Sequence, residues 1–161
     1  MTSSRAGTGI VLRRALRAAL ACALLLGSAA SVHASDAMKA IAGSYLDIQA
    51  LLAKDTIEGI KPAAQAISQQ GARMGPAGEA LVKSAAAIER AADLKAARDA
   101  FGALSDAVIA AGNAEGWKDV PDLGIAFCPM AQKSWLQKYG PVRNPYYGTA
   151  MLTCGEFKKR T

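Results

Sequence analysis

Apolar residues recur at helical spacing through the first half of the chain. Ile41, Tyr45, Ile48 and Leu52 follow at steps of four, three and four, which stacks them on one helix face. Lys54-Asp55-Thr56 interrupts that stripe. Asp55 or Thr56 is placed to cap a second helix, with Glu58 in its first turn. Ile60, Ala64 and Ile67 carry the second stripe to Gly71, and Pro62 inside it predicts a later start or a kink. The run Gly71 to Gly75 is the clearest break, and Pro76 suits the first turn of the next helix. Leu81, Ser84, Ala85 and Ile88 form a third, weaker stripe. Asp93 is placed to cap a fourth helix with a strong face of Leu94, Ala97, Phe101, Leu104 and Val108, ending near Gly112-Asn113. A single long helix running through Ala91-Ala92 is the alternative to separate third and fourth helices.

From Glu115 onward the pattern changes. Trp117, Phe127, Trp135, Tyr139, Tyr146, Tyr147 and Phe157 gather most of the aromatic residues, among Pro121, Gly124, Pro129, Gly140, Pro141, Pro145, Gly148 and Gly155. Such a stretch cannot be regular helix. It reads as an irregular or short-hairpin cap, with Leu123 to Phe127 and Ser134 to Gln137 as short strands. The expected fold is all-α: a small antiparallel bundle of about four helices over residues 35–114, closed by an aromatic-rich cap over 115–161. Alanine dominates the helix faces and buries little area per residue. The few large residues should therefore carry the core, and Phe101→Ala should cost about 3–5 kcal/mol, with Gln137→Ala doing much less.

Ahead of the first stripe lies a different pattern. Arg5, Arg13, Arg14 and Arg17 precede an apolar run from Ala18 to Ala30, and Val32-His33-Ala34 supplies small or permissive residues before a cut after Ala34. This order predicts a cleavable export signal over residues 1–34 and a periplasmic mature protein with no membrane span. Cys22 lies only four apolar residues beyond Arg17, too few for a lipoprotein signal. An uncleaved anchor helix is the competing reading.

Removing the signal changes the inventory. The whole chain has 19 basic and 13 acidic residues, a net of +6. The four arginines leave with the signal, so 19 basic residues become 15 against 13 acidic, a net of +2. The densest basic run left, Lys158-Lys159-Arg160, reads as a solvated tail, and a nucleic-acid footprint is not expected. The only histidine, His33, leaves too. That excludes Ser-His-Asp and Cys-His mechanisms and any histidine-containing zinc site. No enzymatic activity is expected.

Two cysteines remain, Cys128 and Cys154. Cys128-Pro129-Met130 and Met151-Leu152-Thr153-Cys154 each set a thiol within three residues of a thioether. Thiolate and thioether are soft donors that favour Cu(I), so Cys128, Met130, Met151 and Cys154 form a candidate metal site. A structural disulfide between Cys128 and Cys154 is the alternative in an oxidising compartment, and it would make Met130 and Met151 core filler. Glu156 is the only acid beside the site.

The runs Phe127-Cys128-Pro129-Met130, Trp135-Leu136-Gln137, Asn144-Pro145-Tyr146-Tyr147-Gly148 and Met151-Leu152-Thr153-Cys154-Gly155-Glu156, with Tyr45-Leu46 and Ala100-Phe101-Gly102-Ala103-Leu104-Ser105 upstream, have a further reading. Together they resemble an uncharacterised bacterial periplasmic domain family. That family stands alone behind signal peptides or is fused to CusB/HlyD-type adaptor subunits of heavy-metal efflux pumps. The resemblance implies a non-catalytic protein that binds or delivers a soft metal, with a heavy-metal efflux adaptor or another envelope protein as partner. A disulfide-locked helical module that docks on an envelope partner is the competing function.

Overall fold

A computed structural model describes residues 36–117, 120 and 122–158. The expected export segment, with Cys22, His33 and the cut after Ala34, lies outside the described residues. The first helix, α1, covers residues 36–52 and buries Met38, Ile41, Tyr45, Ile48 and Leu52, as the stripe predicts. Gly59, at φ +93°, turns the chain into α2 (Ile60–Arg73). Neither Asp55 nor Thr56 caps α2: Gly59 holds the N-cap position, and Thr56 Oγ1 accepts from Glu58 N–H instead. Pro62 falls in the first turn, where its missing N–H has no intrahelical partner to lose, so it neither delays nor kinks the helix.

A 3₁₀ turn, Gly75–Gly78, joins α2 to α3 (Glu79–Glu89) and has Pro76 in its opening positions. The two helices touch backbone to backbone, because a Cβ on Gly78 would collide with the Gly71 carbonyl. Asp93 caps α4 (Leu94–Glu115) by accepting from Ala96 N–H at 2.8 Å, which separates α3 from α4. The single-long-helix alternative is therefore excluded. Helix α4 runs about one turn past the expected end, to Gly116 at φ +87°. Its inner face buries Ala97, Phe101, Leu104, Ser105 and Val108. In sequence, α2 packs on α3, α3 on α4, and α4 on the sheet.

The expected all-α class is wrong. The aromatic-rich segment folds as a three-stranded antiparallel sheet in the order β2-β1-β3, so the protein is mixed α/β, with four α-helices among the described residues. Strand β1 (Leu123–Cys128) and strand β2 (Lys133–Lys138) form a hairpin with Ala126 opposite Trp135. Strand β3 (Glu156–Phe157) adds to the other side of β1, with Phe157 opposite Ala126. Gly124, Ala126 and Cys128 alternate onto the buried face of β1. Trp135 and Leu136 of β2 are buried too, and both belong to the core that also contains Tyr45 and Phe101. The two expected short strands are present, and the sheet they build with β3 completes the helical core, while the rest of the described segment is turns and loop with a 3₁₀ turn at Gly148–Met151. Among the described residues, no helix is long and apolar enough to cross a membrane.

Candidate functional site

A chain of hydroxyls and rings ties the helices to the sheet. Tyr45 of α1 shares a hydrogen with Ser105 of α4 at 2.7 Å and accepts from Leu136 N–H of β2 at 3.1 Å. The Tyr146 hydroxyl lies 3.3 Å from Ser105 Oγ and donates to Ser134 O at 2.7 Å. The rings follow the same path. Tyr45 stacks on Phe101 at 5.0 Å, Phe101 meets Tyr146 at 5.8 Å, and Tyr146 meets Trp135 edge-on at 5.9 Å. Burial pushes the Tyr45 hydroxyl well above its ordinary value, as it does Tyr146, so both stay neutral hydrogen-bonding groups.

The loop after β2 hangs on two buried amides. Gln137 Oε1 accepts from Trp135 Nε1–H and from Arg143 N–H, each at 3.0 Å. Gln137 Nε2 donates to Lys138 O and Pro141 O. Asn144 Oδ1 accepts from Tyr146 N–H at 2.8 Å and Tyr147 N–H at 3.3 Å, the Asx turn that an Asn-Pro pair favours. Asn144 Nδ2 donates to Cys154 O at 2.8 Å, and Asn144 N–H donates to Leu152 O at 2.7 Å. One side chain thus fixes both the Tyr146-Tyr147 turn and the Cys154 segment. A third tie crosses from the helices. Arg98 of α4 donates to Leu52 O and Pro145 O and pairs with Asp55, which also accepts from the Thr149 backbone and hydroxyl. These hydrogen bonds, from Thr149 first and then Arg98, hold the Asp55 carboxyl at about 2.

These ties bring the two cysteines together. Cys128 closes β1 on its core-facing side and is fully buried; Cys154 follows the 3₁₀ turn Gly148–Met151 and is half-buried. Their sulfurs stand 2.8 Å apart. The turn after β1 folds back on Cys128, so that Ala131 N–H points at its sulfur from 3.4 Å. Burial pushes the Cys128 thiol up, but hydrogen bonds from Cys154, the Ala131 and Met130 N–H groups and the Asn144 side chain outweigh it and hold it below its ordinary value. Cys154 moves the other way, raised first by its hydrogen bond to Cys128 and then by desolvation.

Both methionines of the candidate set are held through their backbones. Met130 O accepts from the Tyr147 hydroxyl at 3.3 Å, and Met151 O accepts from Cys154 N–H at 3.0 Å. Their side chains lie outside the core: Met130 is 63% exposed and Met151 36%. They are not the core filler that the disulfide alternative expects. Among the described residues, no group of three or more His, Cys, Asp or Glu side chains gathers as metal ligands.

Sequence reasoning identified the four sulfurs but missed the residues that position them. Asn144, Gln137, Tyr45, Ser105 and Tyr146 lie within or beside the runs that carry the family resemblance, and the Asn144-Pro145 turn signal was the only local hint of their role. The Asp55–Arg98–Thr149 clamp had no sequence signal, because its members are 43 and 94 residues apart. A hollow of about 470 Å³ between α1 and the loop after β2, and one of about 510 Å³ between α3 and α4, have none of the four sulfurs in their linings. Compared with family models, with curated proteins and with solved structures, the chain has no match, so the efflux-associated resemblance rests on the quoted residues themselves.

Proposed function

We propose that this domain binds a soft metal ion, Cu(I) foremost, in the periplasm, and holds or delivers it without catalysing a reaction. A heavy-metal efflux adaptor or another envelope protein is the recipient in this reading. One observation carries it: Met130 and Met151 each lie within three residues of one member of a close thiol pair, yet both are exposed. Seven of the other residues in the resemblance runs have a packing role, namely Tyr45, Phe101, Ser105, Trp135, Gln137, Asn144 and Tyr146. Packing gives no reason for two thioethers at the surface beside two thiols. Soft-donor chemistry does. The donor set fits Cu(I), and it offers nothing suited to calcium or magnesium.

The closeness of the two sulfurs also supports a second reading, in which a Cys128–Cys154 disulfide locks the sheet and the protein serves as an interaction module for an envelope partner. A Cu(I) competition titration of the reduced protein separates the two. Metal binding predicts specific binding that is lost in Cys128→Ser and weakened in Met130→Leu and Met151→Leu, with the fold intact. Such exposed or volume-conserving swaps cost under about 1.5 kcal/mol of stability. Absence of specific binding, or affinity indifferent to both methionines, leaves the disulfide-locked module as the better account.

A further inference from the structure

Cys128 and Cys154 are neighbours in the fold, so their sulfurs can serve either of two uses, a disulfide or a shared metal ion. The two uses exclude each other, because a sulfur in a disulfide no longer carries the thiolate charge that binds a metal. We propose that metal loading and disulfide closure are alternative states of Cys128 and Cys154, interconverted by exchange with a small external disulfide, so that the site takes up metal only when reduced. This rests on the soft-metal reading above.

The surroundings assign each sulfur a part. Cys128 is fixed at the end of β1, paired with Lys133 in the ladder, and has no exposed surface. Cys154 is half-buried and sits between a short 3₁₀ turn and Gly155, whose φ of +139° marks a bend. Opening and closing therefore fall to the Cys154 side. That segment also carries Met151, whose carbonyl holds Cys154 N–H, so closure displaces a thioether as well. Only Cys154 offers its sulfur to an external disulfide. It attacks one sulfur of that disulfide and expels the first thiolate. Cys128 then attacks Cys154 Sγ and expels the second. Two protons leave the protein and two electrons pass to the external disulfide, which ends as two thiols.

The test uses Ag(I), a redox-inert soft cation, and oxidised glutathione. Reduced protein should bind Ag(I), and protein closed by oxidised glutathione should bind it roughly 100-fold more weakly, near the upper end for coupled sites. By the same linkage, Ag(I) loaded first should suppress the loss of two hydrogens seen by intact mass on adding oxidised glutathione. Cys128→Ser should accumulate a mixed disulfide at Cys154, and Cys154→Ser should resist modification, each with a near-ultraviolet circular dichroism spectrum like that of wild type. Equal Ag(I) affinity in the reduced and closed forms overturns the exclusion while leaving the metal reading in place. No Ag(I) binding by the reduced protein overturns both. A mixed disulfide forming at Cys128 rather than Cys154 overturns the assigned order of attack.

Discussion

Gln137 shows what a single residue conceals in a sequence. A glutamine among aromatic residues reads as surface, and it was expected to be a harmless site for substitution. In the fold it is 4% exposed and every polar atom of its amide is used. Gln137→Ala should therefore cost about 1–3 kcal/mol, since it strands the buried Trp135 indole N–H and removes the acceptor of the Arg143 N–H. The denaturant midpoint measures this, and a shift too small to resolve would mean that water replaces the lost partners. Asn144 was more legible, because Asn-Pro marks a turn. What the turn holds was not, since Cys154 reaches it only through the tertiary fold. The candidate sulfurs were readable from their spacing, but their exposure was not. A methionine beside Cys and Trp looks the same in sequence whether it faces the core or the solvent.

At the scale of elements, the helices were legible because each carries its apolar stripe within itself. Phe101 sits on the inner face of α4, fully buried between the rings of Tyr45 and Tyr146. Phe101→Ala should cost about 3–5 kcal/mol, and near-neutrality in denaturant unfolding would contradict that packing. The two hairpin strands were legible to within a residue at each end, as Leu123 to Phe127 and Ser134 to Gln137, but not as a sheet large enough to change the fold class. Strand β3 is two residues long, too short for any period. Their stability comes from what covers them, and so does that of the segment holding Thr149. A carboxyl whose folded pKa is lowered adds stability that is full above its unfolded value and is lost as pH falls through the folded one. For Asp55 that window runs from about 4 down to about 2. Wild-type denaturant midpoints should fall across it, and Asp55→Asn should lack that part of the fall. Equal acid sensitivity in both proteins would mean that the clamp contributes nothing.

At the scale of the whole molecule, the ties that finish the core are long in sequence. Leu136 N–H meets Tyr45 across 91 residues, and Gln49 Nε2 meets Arg143 O across 94. Helices α2 and α3, of 14 and 11 residues, are marginal in isolation in water. A chain truncated before β1 should therefore keep some helix but lose cooperative unfolding, as followed by circular dichroism against denaturant. A sharp transition in that fragment would show that the helices stand without the sheet. The same feature sets a clock. At typical synthesis rates, on the order of 5–20 s separate the emergence of Tyr45 from that of Tyr146. Throughout that interval the α1 stripe has no sheet to rest on and the nascent chain cannot commit to its final form. A polypeptide that stays open until its end is out can still be threaded unfolded through a narrow pore, and it finishes folding on the side where its last residues arrive.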